Sequence, residues 1–167
     1  MAQALACLFT ITAISNSNGL SEENPIEWLR VRNEIDAKRK PIPPKHLFGV
    51  DMNKNAVRIA RTNLRAAGFH PFAEIALADF REFTPVVPPD FLISDPPHGV
   101  RLEDESILKP LYQSIGDFMK QKCVKPAKGF IFTTSLELGK EVGLAATKRH
   151  VLSSGGLDAR LLEFDIY

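Results

Sequence analysis

The sequence predicts an α/β fold in which a mostly parallel sheet ends in an antiparallel hairpin. From residue 46 onward, short apolar runs closed by a polar residue alternate with segments of helical periodicity. This order is typical of buried parallel strands connected by helices. Near the end, Lys148–Ser153 and Leu157–Ile166 alternate polar and apolar residues on either side of Gly155-Gly156, which predicts the hairpin.

Length and composition indicate one globular domain. The chain has 167 residues, of which 44% are hydrophobic and 25% charged, and this composition excludes a disordered chain. Cys7 and Cys123 are too few for a disulfide framework or a four-cysteine zinc site, so we expect a cytoplasmic protein. The four histidines have no metal-ligand spacing, and we expect no metal.

The apolar N-terminus, Met1–Ile14, is interpreted as a buried core helix. It is too short to span a bilayer, which takes about 20 residues, and it lacks the basic residues of a signal peptide, so no membrane partner is expected. A second helix is predicted from Pro25, with Asn24 as its cap, to about Lys40, where a proline-rich segment ends it.

Four strands and three helices are predicted between these helices and the hairpin. The strands are His46–Asp51, Phe72–Ala78, Phe91–Ser94 and Gly129–Thr134, and the helices are Asn55–Ala67, Ile107–Met119 and Leu136–Gly143. Val57, Ala60, Leu64 and Ala67 form the apolar stripe of the first of these helices, and Gly68 is suited to end it. Pro110 has no N–H to donate, so we expect it either in the first turn of its helix or as the residue that begins the helix.

Aspartates end three of the four predicted parallel strands: Asp51, Asp79 and Asp95. In an open parallel sheet, ligands bind outside the carboxyl ends of the strands. Carboxylates there accept hydrogen bonds from ribose hydroxyls or from an exocyclic amine. The alternative is that each aspartate caps the helix that follows, but three at one edge favour a binding site.

The segment Ser94–Gly99 (SDPPHG) is the most distinctive in the chain. Its two prolines have no N–H, so they leave a stiff backbone with carbonyl acceptors beside Asp95, followed by the ring of His98. Two acceptors and a planar ring suit an aromatic amine, which needs partners for its –NH₂ and a surface for stacking. The alternative is a proline-rich strand exit with Asp95 as a helix cap.

Basic residues are concentrated between Arg30 and Arg65. This segment contains ten Lys and Arg but three Asp and Glu, although the whole chain has a net charge of +1. One interpretation is a surface that contacts phosphate groups. The other is a set of solvated helix surfaces. The sequence alone leaves both open.

Several motifs resemble those of class I S-adenosylmethionine (SAM)-dependent amino-methyltransferases. DPPHGVRL, beginning at Asp95, is similar to the catalytic loop of the THUMP-associated, RlmL-like RNA methyltransferases, which methylate N2 of guanine in large-subunit ribosomal RNA. FGVDMNKNAVRIARTNLRAAG and LADF resemble the second and third motifs of this family. LYQSIGDFMKQK resembles the helix after the catalytic loop, and SGGLDARLLEFDIY the closing hairpin. The resemblance implies a Rossmann-like methyltransferase domain over residues 1–167, with a helical part at 1–45 and a motif-bearing core at 46–167.

The resemblance also implies which residues bind the cofactor. Asp51 would bind the ribose hydroxyls of SAM, with Met52 beside it. Asp79, with Phe80 next to it, would lie at the adenine.

The catalytic residues implied by the resemblance are Asp95, Pro96, Pro97 and His98, which would hold the target amine and its base. The chain departs from the family in two places, since it has Val100 after the loop glycine instead of glutamate and His98 instead of the commoner tyrosine. A protonated histidine would repel the positive charge that develops on the amine.

The family's first motif, a strand followed by a glycine-rich cofactor loop, has no counterpart that we identify in the sequence. We therefore expect the first strand of the sheet to be missing, the chain alone to bind SAM poorly, and a second chain or upstream segment to complete the site. Two other functions remain open: a non-catalytic nucleic-acid-binding or regulatory remnant of such an enzyme, or an adenine-N6 DNA methyltransferase.

Overall fold

A computed structural model describes residues 4–6, 25–38, 41–44, 46–97, 105–154 and 157–167 of the chain. The strands are β1 (Ala4–Ala6), β2 (Leu47–Asp51), β3 (Ala73–Leu77), β4 (Phe91–Ser94), β5 (Ala127–Thr133), β6 (Lys148–Ser154) and β7 (Leu157–Ile166). The helices are α1 (Pro25–Ala37), α2 (Lys54–Ala66), α3 (Glu105–Lys122) and α4 (Leu136–Glu141), with a 3₁₀ turn at His70–Phe72.

The seven described strands form one sheet in the order β3-β2-β1-β4-β5-β7-β6. Strands β1 to β5 pair in parallel, and β7 pairs antiparallel with both β5 and β6. The predicted α/β class, the mostly parallel sheet and the C-terminal antiparallel hairpin are therefore confirmed.

The prediction that the first strand is missing is wrong. Strand β1 lies at the centre of the sheet, where Ala4 is in register with Leu47 of β2 and with Phe91 of β4. The same strand falls inside Met1–Ile14, so that segment is not one continuous helix and the predicted helical N-terminal part contains a strand. A short apolar run does not distinguish strand from helix, and here pairing with two distant strands decides. The remainder of the segment and the cap at Asn24 lie outside the described residues.

Two helix boundaries also differ from the predictions. Helix α1 ends at Ala37 rather than near Lys40. Helix α3 begins at Glu105, so Pro110 lies inside it, beyond the first turn. The carbonyl of Pro110 accepts a hydrogen bond from Ser114 Oγ at 2.8 Å. The predicted helix began at Ile107, but the helix itself begins two residues earlier. The prediction therefore placed Pro110 too near the start of the helix.

The main hydrophobic core lies between α3 and one face of the sheet. Helix α3 contributes Leu108, Tyr112, Ile115 and Met119, and the strands contribute Val50, Leu92, Ile131 and Phe164, all buried. Helix α3 also approaches α4 closely, because a Cβ added at Gly116 would lie 1.8 Å from the backbone oxygen of Val142. The core therefore fixes α3 beneath the carboxyl ends of β4 and β5.

A second buried cluster joins α2 to β3. It consists of Val57, Ala60 and Leu64 from the helix and Ile75 from the strand, which confirms three positions of the predicted apolar stripe. The fourth, Ala67, was wrongly included, because it is exposed and is the C-cap of the helix. Gly68, just after the helix, has φ of 76°, the left-handed conformation that favours glycine at this position.

A polar network joins the hairpin to β5. Lys128 Nζ donates to Glu163 Oε1 at 2.6 Å and to Asp165 Oδ1 at 2.8 Å, and His150 Nε2 lies 2.9 Å from Glu163 Oε2. The hydrogen bonds from Lys128, then His150, lower the pKa of Glu163 to about 2. A carboxylate that is nearly buried is thus kept charged by its partners.

Among the helices in the described part of the chain, none is long and apolar enough to cross a membrane.

A buried hydrogen bond connects α3 to the end of β5. The Tyr112 hydroxyl lies 3.0 Å from Thr133 Oγ1, and both side chains are fully buried. The Thr133 oxygen also accepts the N–H of Ser135 at 3.1 Å, and Ser135 caps α4 through its own hydroxyl. One bond network therefore holds α3, β5 and α4 together.

Tyr112 should make the protein less stable at alkaline pH. Burial, followed by the charge of Asp95, raises the pKa of Tyr112 to about 12 from an ordinary value of 10. Because the unfolded phenol ionises first, the free energy of unfolding should fall as the pH rises from about 10 to about 12. In a Tyr167→Phe variant, which leaves Tyr112 as the chain's one tyrosine, phenolate absorbance should rise near pH 12. Tyr112→Phe should make the alkaline fall smaller, leaving the part that comes from other groups with raised pKa values, such as Cys123. A Tyr112 titration near pH 10 would contradict this assignment.

Candidate functional site

The predicted site residues lie at one edge of the sheet. Asp51 is the last residue of β2, Asp79 follows β3 by two residues, and Asp95 follows β4 directly. Since β1 to β5 are parallel, their carboxyl ends share this edge. The order β3-β2-β1-β4 places Asp79 and Asp51 on one side of β1 and Asp95 on the other. The edge therefore includes the point where the strand order reverses, which is where open α/β sheets bind ligands.

Asp51 is not a helix cap. Asn53 caps α2, and its side chain accepts the N–H groups of Asn55 and Ala56 at 2.8 and 3.2 Å. Asp51 Oδ1 instead accepts the N–H of Asn53 at 2.6 Å. The Asp51 residue is exposed, as is Met52 beside it. The carboxylate is therefore held in a tight turn and is accessible from solvent.

Asp79 is paired with Arg81. Arg81 Nε lies 2.9 Å from both carboxylate oxygens, and the Arg81 backbone N–H donates to Oδ1 at 2.9 Å. These hydrogen bonds, the side-chain ones first, lower the pKa of Asp79. Residues 80–82 form a turn rather than a helix, so Asp79 does not cap a helix either. A ligand amine at this carboxylate would share it with, or displace, the guanidinium.

Phe80 anchors the loop after β3 to the core. Its ring is half-buried and meets Phe118 of α3 edge-on, with ring centroids 6.2 Å apart and an interplanar angle of 63°. Phe80 packs against the main core cluster. Its contacts with α3 fix the position of the neighbouring Asp79.

Asp95 and Pro96 begin the loop after β4. Asp95 is half-buried with its Oδ1 shielded from solvent, Pro96 is buried, and Pro97 is exposed. Tyr112 is close enough for the Asp95 charge to contribute to the raised pKa of the phenol, after burial. A sheltered carboxylate at a strand end forms stronger hydrogen bonds than an exposed one. His98 and Val100 lie outside the described residues.

Tyr112 and Thr133 are the site's supporting residues that the sequence did not reveal. Tyr112 fits the apolar stripe of α3, and nothing in that stripe indicates that its hydroxyl reaches β5. Thr133 is one of several polar residues near the end of a strand. Arg81 was likewise not singled out, although its place two residues after Asp79 is a signal for a local ion pair.

The chain matches the family profile described as the RMKL-like methyltransferase domain (UPF0020) over residues 6–162. Among curated proteins, it is 37% identical over 124 residues to the ribosomal RNA large subunit methyltransferase K/L of Hahella chejuensis, covering 72% of this chain and 17% of that protein. It is 32% identical over 153 residues to the protein of the same name from Allochromatium vinosum, covering 89% of this chain and 21% of that protein. The chain thus spans about a fifth of the length of these relatives.

Solved structures show the same architecture. The crystal structure of SMU.472 complexed with SAH (S-adenosyl-L-homocysteine) matches with a TM-score of 0.69 and 28% identity, covering 83% of this chain and 36% of that one. TrmN from Thermus thermophilus matches with a TM-score of 0.66 and 18% identity, covering 99% of this chain and 44% of that one. The fold is therefore that of Rossmann-like class I methyltransferases, and the profile match over nearly the whole chain shows that it belongs to the RMKL-like methyltransferase domain family.

Proposed function

We propose that this chain is the catalytic domain of a SAM-dependent ribosomal RNA methyltransferase that methylates N2 of guanine. One observation carries the proposal: Asp51, Asp79 and Asp95 lie at the carboxyl ends of β2, β3 and β4, on both sides of the central strand. The names of the curated relatives support the choice of ribosomal RNA as substrate.

The described residues fit the adenosine part of the cofactor. The exposed Asp51 carboxylate suits the two ribose hydroxyls, which are hydrogen-bond donors, and Met52 supplies an exposed apolar surface beside them. Asp79 would accept from the adenine amine once Arg81 moves, while Phe80 keeps the loop in place. SAH bound to the related SMU.472 structure supports the choice of cofactor.

We identify fewer contacts for the amino-acid end of the cofactor than for its adenosine part. Between Cys7 and Asn18, directly after β1, the sequence contains no glycine. Glycine is the residue that lets a backbone approach a ligand most closely. We infer that the affinity of this chain for the cofactor rests mainly on Asp51 and Asp79. A second chain or an upstream segment that completes the site remains part of the proposal.

The chemistry at the β4 end is an in-line displacement at a methyl group. SAM supplies an electrophilic methyl on a sulfonium centre. The Asp95 carboxylate and the Pro96 carbonyl would accept the two amine hydrogens of guanine, so that the nitrogen lone pair is aimed at the methyl. As the new N–C bond forms, the sulfur–methyl bond would break to leave SAH, and one N–H proton would pass by way of the Asp95 carboxylate to solvent. Positioning would supply most of the rate, and the role implied for His98 by the family resemblance is to stack on the base.

Asp51→Asn should weaken cofactor binding. The substitution keeps an oxygen for the Asn53 N–H but removes the charge from the bonds to the ribose. A hydrogen bond to a charged group contributes about 1.5–3 kcal/mol, so we expect the Kd for SAH to rise about tenfold or more in isothermal titration calorimetry. Asp117→Asn, which changes the same charge on the exposed side of α3, should leave the Kd unchanged. Equal Kd values for the parent and Asp51→Asn would refute this role.

Asp95→Asn should reduce methyl transfer to less than a tenth of the parental rate while the far-ultraviolet circular dichroism stays the same. The assay uses SAM labelled in its methyl group and unmodified large-subunit rRNA, with nucleoside mass spectrometry to identify N2-methylguanosine. Asp117→Asn is again the matched control.

The same assay on DNA separates the alternatives. N6-methyladenine in DNA would replace the proposal with the DNA methyltransferase. SAH binding without transfer to either nucleic acid would favour the non-catalytic remnant.

A further inference from the structure

Six of the ten basic residues between Arg30 and Arg65 lie in two helices, α1 and α2, which differ in charge compensation. Helix α1 contains two arginines and three acidic residues. Arg30 pairs with Glu27 and Glu34, and Arg32 Nε lies 3.8 Å from Asp36 Oδ2. Helix α2 contains four basic residues and no acidic residue. The charges of α1 are therefore compensated within the helix, and those of α2 are not.

The four basic residues of α2 lie on one face. Lys54, Arg58, Arg61 and Arg65 are spaced by four, three and four residues, which places them within about 60° of one another around the helix axis. We call this set the α2 basic stripe. Arg61 also donates to the carbonyl oxygen of Ile75 at 2.6 Å, so it partly serves the fold. All four residues are exposed.

Nothing within the described part of the chain neutralises the rest of the stripe, since no carboxylate there lies within ion-pair distance of Lys54, Arg58 or Arg65. The arrangement also opposes helix stability. Like charges three or four residues apart repel, and Lys54 lies at the helix N-terminus, where the macrodipole disfavours a cation. Residues that break a local rule in this way are typical of function.

Two exposed rings follow the helix closely in the chain. Phe69 is 42% exposed and His70 is exposed, and they come three and four residues after the last residue of α2. Positive charge combined with exposed rings is characteristic of surfaces that bind single-stranded nucleic acid, because the charges contact phosphates and the rings stack on bases.

We propose that the α2 basic stripe, together with Phe69, binds the phosphate backbone of single-stranded RNA. The choice of RNA rests on the proposed function. The stripe extends for about 16 Å at a rise of about 1.5 Å per residue, which is long enough to contact more than one phosphate of a strand. It begins three residues after Asp51, which lies on the opposite side of β1 from Asp95. Since Asp95 is proposed to hold the target amine, the RNA bound by the stripe is a strand flanking the target rather than the target base.

The test compares two triple variants that lose the same charge. The first is Lys54→Gln, Arg58→Gln and Arg65→Gln in the stripe. The second is Arg30→Gln, Arg32→Gln and Lys38→Gln, in and just after α1. Binding of a fluorescein-labelled 12-nucleotide single-stranded RNA is measured by anisotropy from 50 to 200 mM salt, without cofactor. Circular dichroism and SAH binding verify that each variant folds.

The stripe variant should bind at least tenfold more weakly at 100 mM salt. Its plot of log affinity against log salt should be shallower by about two, because each phosphate contact contributes about 0.7 to that slope. The α1 variant should stay within about twofold of the parent, and Phe69→Ala should weaken RNA binding severalfold. Parental affinity in the stripe variant, or equal losses in both triple variants, would overturn the proposal.

A competition experiment identifies the partner. If poly-L-glutamate of equal charge displaces the RNA as well as unlabelled RNA does, and Phe69→Ala has no effect, the surface binds an acidic protein and the RNA assignment is wrong. The assay requires no methyl transfer. If the stripe variants bind RNA as the parent does, the methyl-transfer result for Asp95 is unaffected. If methyl transfer is not detected, the RNA-binding result for the stripe is unaffected.

Discussion

The parallel pairing of β1 with both β2 and β4 is the constraint on which the site depends. On one side of this strand lie Asp51 and Asp79, and on the other lies Asp95. Without β1 the sheet would be two separate pieces, because the described β2 and β4 do not pair with each other. A methyl donor on one side and an amine on the other react only if their distance is fixed, so three residues of strand set the geometry on which the proposed chemistry relies.

The same residue type at three equivalent strand ends meets three different environments. Asp51 is exposed in a tight turn, Asp79 is paired with Arg81, and Asp95 is half-buried near Tyr112. Solvent, a guanidinium and a buried phenol have different effects on the charge and hydrogen bonding of a carboxylate. These differences support separate roles at the ribose, the adenine and the amine, although all three began as one pattern in the sequence.

Much of the fold could be predicted because its signals are local. The strand β4 has the predicted bounds, α2 buries three of the four residues of its predicted stripe, and the hairpin forms where alternation predicted it. The central strand β1 was missed because its short apolar run has no periodicity of its own, and only pairing with strands far along the chain makes it a strand. The same limitation hid the bond between Tyr112 and Thr133, which joins residues from different elements.

By itself, the sequence determined the order of elements from β2 onward, the aspartates at the strand ends and the resemblance of the Asp95 loop to a methyltransferase family. Each of these depends on neighbouring residues or on a short motif. Only the tertiary structure decided that β1 completes the sheet, that Asn53 rather than Asp51 caps α2, and which basic residues are compensated. Those outcomes depend on distances between groups that come together only when the chain folds. Spacing along the sequence does not determine these distances.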